Sequence, residues 1–406
     1  MLFSKRRIYL DYASAPPVLP QAIAAMRERE VLIGNAGAIH SEGLTAKKSL
    51  ENSRARIASL LGCKSRELIF TSGLTESNNL AILGFARKLE QTRRSIAGTH
   101  WIVSAIEHDS VLACFAEIER LGGTVSHVEP DERGIISPEA IGRVLRPETV
   151  FVSVGWANNE IGTVQPLGKI ARALRSFGEK NRARITFHSD AGQAPLYLPT
   201  VVSSLGVDLL SLGGNKLYGP HGIGALYVSN KVALAPVIFG GKQERGVRAG
   251  TENVALAAGF AAVFEIVAKE RKFEAERLKK LRDDFAHELA SRISGLVVNG
   301  DLKHALPHML NVSIPNIQSE YVTLALDSAG IAVSTKSACR EARSHAQRVS
   351  GEGEESRSHV VAALGENPPA GGWRAANTIR FSLGRDTTSR DVRKAAKTLI
   401  GLLKTR

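Results

Sequence analysis

Short apolar runs punctuate the first half of the chain: ELIF at Glu67 to Phe70, HWIVS at His100 to Ser104, VFVSVG at Val150 to Gly155, ITFHS at Ile185 to Ser189 and DLLSL at Asp208 to Leu212. Helical patterns separate them, which predicts βα units and a mostly parallel sheet. Each run ends in polar or glycine-rich residues (TSGLTES, AIEHDS, WANNEIG, DAGQ, GGNK). Ligands of open α/β sheets gather at the carboxyl ends of strands, so these five segments are expected to converge on one crevice.

From about Ala255 the pattern changes to a long amphipathic helix, AVFEIVAKERKFEAERLKKLRDDFAHELASRI, with charges on its outer face. Beyond it, strand-like HMLNVSI and NTIRFSLG enclose a helix-like SEYVTLALDSAG, predicting a second, smaller unit with an antiparallel or mixed sheet. The reading is an α/β protein with a large domain over 15–255 and a small C-terminal α/β domain over 256–406, residues 1–14 packing on the latter. The polar REARSHAQRVSGEGEESRSH after Cys339 reads as a mobile loop, and PPAGGW as a second irregular stretch.

Composition supports this picture. A chain of 406 residues with 43% hydrophobic content can bury two cores. No apolar stretch reaches the roughly 18 residues needed to span a bilayer, and MLFSKRRIYLDY turns strand-like too early to leave room for a cleavable signal, so a cytoplasmic location is expected. Cys63, Cys114 and Cys339 have no CxxC spacing, which suits a reducing compartment and argues against a zinc site. The net charge of +13 lies in scattered clusters, so an acidic partner is expected and direct nucleic-acid binding is not.

The candidate chemistry sits at two strand ends, Asp190 in TFHSDAGQA and Lys216 in DLLSLGGNKLYGPHG. An amine able to form a Schiff base, and a carboxylate to face a protonated pyridine nitrogen, are what pyridoxal 5'-phosphate (PLP) asks of a protein. A surface lysine in a turn and a helix-capping aspartate would fit the same letters. In TSGLTESNN, Thr71, Ser72 and Gly73 lead into an apolar helix whose first N–H groups suit an anion. His108 in EHDS could stack on an aromatic ring or move a proton, or be a satisfied turn histidine. Cys63 and Cys114 read as buried small hydrophobes.

Eleven segments, YLDYASAPP, GNAGAIHSEG, TSGLTESNNLAI, EHDSV, NNEIGTVQP, HSDAGQ, NKLYGPHGIGALYV, ERGVRAGTEN, LPHMLNVS, KSAC and IRFSLGRDTT, resemble in order those of the cysteine desulfurases, PLP enzymes of the class V aminotransferase fold (fold type I) with a long catalytic loop. The resemblance implies that Lys216 carries the cofactor, Asp190 pairs with its ring nitrogen, Gln193 meets its phenolic oxygen and His108 stacks on it. It places Gly73, Leu74, Thr75 and Asn215 with the cofactor, and Thr251 at the neighbouring subunit's phosphate, which implies a homodimer. Asn35, Asn159 and Arg380 would bind L-cysteine, Arg380 by its α-carboxylate, and Asn159 would also lie near the cofactor's phenolic oxygen. Cys339 would be the nucleophile that takes the sulfur as a persulfide, its thiolate favoured by Lys336 and Arg340. A sulfur-acceptor protein, such as an acidic iron–sulfur scaffold, or tRNA thiolation would follow. A selenocysteine lyase or other lyase of the fold is a second reading, and a weakly active homologue acting as a binding partner a third.

The chain also departs from the pattern it resembles. Where the family reads Ser-Gly-His-Lys, this chain has Gly213, Gly214, Asn215 and Lys216; Ala15 and Pro16 replace threonines, a threonine common between Asp190 and Gln193 is replaced within Ala191-Gly192 and Lys336 replaces glycine. Hydrogen bonds to charged groups are worth roughly 1.5–3 kcal/mol, so loss of the serine hydroxyl predicts a cofactor held on the order of ten- to a hundredfold more weakly.

Overall fold

The computed structural model describes residues 6–93, 95–335, 357–365 and 372–404. Cys339, Lys336 and Arg340 therefore lie outside the described residues, as does most of the polar segment that follows them.

The chain opens with β1 (Ile8–Tyr9), α1 (Pro20–Glu30) and α2 (Ser41–Leu61). The main sheet is then built from β2 (Leu68–Thr71), β3 (His100–Ser104), β4 (Thr124–Val128), β5 (Thr149–Ser153), β6 (Thr186–Asp190), β7 (Leu209–Gly213) and β8 (Gly224–Val228). Its strand order is β2-β8-β7-β6-β5-β3-β4. Only β8 runs against its neighbours; the pairs β7–β6, β6–β5, β5–β3 and β3–β4 are parallel. Every residue of β3, β5 and β7 is buried, because a parallel sheet covered by helices on both faces leaves no strand surface for water. The helices α3 (Leu74–Arg93) and α4 (Asp109–Arg120) follow β2 and β3, each starting at a strand's carboxyl end.

The helix foreseen after Ala255 is α5 (Val254–Arg292), capped by the Asn253 side chain accepting the Leu256 N–H. Its first half packs on α1 and α2. Further on, Phe285 meets Phe381 edge-on with ring centroids 4.9 Å apart. It thus leans on a second, antiparallel sheet of order β12-β10-β9, made of β9 (Val297–Val298), β10 (Met309–Ser313) and β12 (Thr378–Ser382). Between β10 and β12 in sequence comes β11 (Ile331–Ala332), which pairs in parallel with β1 in a separate two-stranded sheet. The N-terminal segment continues along β12, with the Tyr12 N–H donating to the Ser382 carbonyl and the Ala13 N–H to Ser382 Oγ. One contiguous apolar core reaches from Phe187 and Leu210 in the main sheet to Leu310 and Phe381 in the second. Among the described residues no helix is long and apolar enough to cross a membrane.

Candidate active site

The five polar strand ends singled out in the sequence do converge. They line a cavity of about 340 Å³ at the carboxyl ends of β2, β3, β5, β6 and β7, closed on another side by Ala13, Ser14 and Arg380. That volume is within the range of small-molecule sites, roughly 300–1,000 Å³. Gly73, Leu74, Thr75, His108, Asn159, Asp190, Gln193, Asn215, Lys216 and Arg380 all border it.

Asp190 ends β6 with both carboxylate oxygens engaged: Oδ1 accepts from the Gly192 N–H at 2.8 Å and Oδ2 from Asn78 Nδ2 at 2.7 Å. The same Asn78 amide donates to Ser110 Oγ at 2.9 Å, and Ser110 Oγ lies 2.9 Å from His108 Nδ1. Because His108 Nδ1 also accepts the Ser110 backbone N–H, a neutral His108 carries its proton on Nε2. Asn78 therefore ties the carboxylate to the imidazole, a role no local sequence signal announces.

Lys216 follows β7 in a tight turn. Its ammonium donates to the carbonyls of Ala13 and Ser14 at 3.0 and 2.7 Å, and Gln193 Nε2 donates to the same Ala13 carbonyl at 2.8 Å. Arg380 projects from β12 and is 1% exposed. One of its terminal nitrogens donates to Asp11 Oδ1 and Ser14 Oγ, each at 2.7 Å, and the other to the Asn159 carbonyl at 2.9 Å. Its Nε is buried with no hydrogen-bond partner. A buried guanidinium with an unsatisfied donor beside a cavity can still accept a carboxylate ligand.

Glu107, the neighbour of His108, was present in the EHDS segment but received no role from the sequence. Its Oε1 accepts the Gly155 N–H at 2.7 Å, and burial pushes its carboxyl up to about 8, with the Asp190 charge adding and the Gly155 hydrogen bond opposing. It is mostly protonated at neutral pH. Beneath Asp190, His188 bridges Ser153 and Ser211 across three strands at 2.8 and 3.0 Å; burial pulls it down to about 3, so it is a neutral brace. On the opposite wall, Glu76 accepts the Ser72 N–H at 2.7 Å and pairs with Arg248 at 2.7 Å, anchoring the RGVRAG turn to the start of α3.

Two site residues expected from the resemblance lie off this cavity in the single chain. Asn35 is exposed, its Oδ1 accepting the Gly37 N–H at 2.8 Å, and Thr251 is exposed beyond Arg248. Cys339 falls outside the described residues.

The Aminotransferase class-V family model matches residues 8–394, and the chain belongs to that family. Among curated relatives it is 39% identical over 389 residues to "Cysteine desulfurase IscS" of Dictyoglomus turgidum, covering 96% of this chain and 92% of the relative. It is 37% identical over 400 residues to "Putative cysteine desulfurase IscS 1" of Bacillus subtilis, covering 98% and 99%. Among solved structures it is similar to "NIFS-LIKE PROTEIN", with TM-score 0.86 and 30% identity over 98% of this chain and all of the other. It is also similar to "SspA in complex with cysteine", with TM-score 0.76 and 31% identity over 93% and 98%. The protein is thus an enzyme of a PLP-dependent family, and its residues fit that cofactor: an amine, a hydrogen-bonded carboxylate and a helix start surround one cavity of suitable size. The relatives' names favour neither a lyase for selenium nor an inactive partner.

Proposed function

We propose that this chain is a cysteine desulfurase, converting L-cysteine to L-alanine and passing the sulfur to Cys339 as a persulfide. The observation that carries the reading is the placement of Lys216, Asp190 and Arg380 around one cavity, in a chain similar end to end to proteins bearing that name. When bound, the cofactor supplies an aldehyde that condenses with amines and a protonated ring that draws electrons away from the substrate α-carbon. Lys216 provides the amine that holds the aldehyde and afterwards moves protons at the substrate. Asp190, fixed by Asn78 and Gly192, would keep the ring nitrogen protonated. Gln193 and Asn159 would meet the phenolic oxygen, His108 would lie against the ring, Thr75 with the Gly73 and Leu74 backbone would hold the phosphate, and Arg380 would bind the substrate carboxylate.

In the sulfur step the Cys339 thiolate attacks the substrate sulfur. The new S–S bond forms as the Cβ–S bond breaks, the bonding pair stays with Cβ, and Cβ then takes up a proton to give alanine. The persulfide is passed to an acceptor protein, for which an acidic iron–sulfur scaffold complements the net charge of +13. The reading divides the chain into a cofactor-binding part, 15–255, and a small part, 256–406, and sets it in the cytoplasm. It also makes it a homodimer, with Thr251 serving the neighbour's site; exposure of Val31, Ile33, Ile39 and Phe239 supports this.

The test is incubation of the PLP-loaded protein with L-cysteine, followed by alanine assay and mass analysis of the Cys339 peptide. One added sulfur, absent in Cys339→Ser, is the expected result. Failure of the wild type to release alanine overturns the activity, and sedimentation of the loaded protein as a single chain overturns the homodimer.

A further inference from the structure

We propose that Leu74, Gly192 and Gly213 act as one steric unit, in which the leucine fills the space beside both glycines and makes the floor of the phosphate subsite apolar. The inference rests on the PLP reading above. Gly213 has φ −131° and ψ 127°, an extended conformation open to any residue, and Gly192 is not among the residues with positive φ. Backbone geometry therefore does not require glycine at either position. Leu74 constrains both: unless its side chain turns away, a Cβ on Gly213 would fall 2.8 Å from Leu74 Cγ and 2.9 Å from its Cδ1, and a Cβ on Gly192 would fall 2.9 Å from the same Cδ1. Gly73 is the contrast, with φ 151° and nothing within 4 Å of its added Cβ.

Leu74 borders the cavity and Gly213 does not, so the leucine stands between the end of β7 and the ligand. The serine expected at position 213 from the resemblance is thus more than absent, because its place is occupied. A phosphate ester must then be held from the α3 side, by the first turn of the helix and Thr75, with Asn215 the nearest polar side chain following β7. The two altered positions, 192 and 213, become one change with a single cause in residue 74.

The experiment is a double-mutant cycle on the full-length protein: wild type, Leu74→Ala, Gly213→Ser and the double variant. Each is stripped of cofactor, melted, and titrated with PLP and with pyridoxal, which lacks the phosphate, following absorbance of the lysine-bound aldehyde. Gly213→Ser alone is expected to lower the melting temperature and weaken PLP binding about tenfold or more. The double variant is expected to recover both, and to bind PLP about tenfold tighter than Leu74→Ala while pyridoxal binding stays level. Additive effects in the cycle overturn the steric unit. Equal gains for PLP and pyridoxal overturn the phosphate assignment. If the wild type itself forms no lysine-bound species, the cofactor reading fails and the floor's role with it, whereas coupling in the melts reads the packing without any cofactor.

Discussion

Replacing Glu107 by glutamine is expected to change how stability depends on pH more than it changes stability itself. Glu107 is 5% exposed, and its carboxyl is pushed from 4.5 up to about 8, first by burial and then by the neighbouring Asp190 charge, against the Gly155 N–H, Ser104 and His108. At about 1.36 kcal/mol per tenfold, that displacement corresponds to roughly 4–5 kcal/mol. In the unfolded chain the group ionises near 4.5 and in the folded protein near 8, so folding takes up a proton between these values. The native state therefore loses stability as pH rises through this window, and the effect is constant above it. The amide of Glu107→Gln can still accept the Gly155 N–H but does not titrate. Between about pH 5 and pH 8 the wild type should lose roughly 4 kcal/mol relative to the variant. Urea unfolding of the cofactor-free proteins across that range reads the difference. Parallel profiles, or a variant that loses more than the wild type at the upper end, would refute the assignment of a buried, protonated carboxyl. With cofactor bound, a positive ring nitrogen beside Asp190 should flatten the wild-type slope.

Asn78→Ala removes the 2.7 Å donor to Asp190 and the link to Ser110; PLP affinity should fall about ten- to a hundredfold in an absorbance titration, and unchanged affinity would show that Gly192 alone suffices to set the carboxylate. Arg54→Ala strands Glu244, 1% exposed at its side chain and held by two hydrogen bonds of 2.7 and 2.8 Å from the guanidinium. Unfolding free energy should drop by about 3–5 kcal/mol; a loss below about 1 kcal/mol would mean that water or Arg245 takes over the charge.

The strands that were legible in the sequence are those buried on both faces. HWIVS coincides with β3, the runs assigned to β2, β6 and β7 are each shifted by one residue, and β5 starts one residue earlier and ends two residues earlier than its run. β4, TVSHV, gave no apolar run because it is an edge strand with only Val128 buried. The reversed direction of β8 could not be read from GALYV, since a strand buried over all but its last residue has the same composition either way. In the site, residues at strand ends could be found because topology alone brings such ends together. Asp11, Ser14, Asn78 and Glu107 could not, since their roles depend on contacts with Arg380, Asp190 and Gly155 far away in sequence. The substitution at Gly213 was legible as a missing hydroxyl but not as a filled volume, because Leu74 is a neighbour only in space.

The four residues from Asp11 to Ser14 hold both polar ends of the site. Asp11 and Ser14 steady the Arg380 guanidinium, while the Ala13 and Ser14 carbonyls receive the Lys216 ammonium. They work as a gauge block: the separation between amine and guanidinium is set by one short piece of backbone rather than by the fit of two sheets. Under the proposed function, a substrate whose amino and carboxylate groups share one carbon would be measured against that piece, and one with an extra methylene between them should read as too long. A change within these four residues would therefore be expected to act on substrate length.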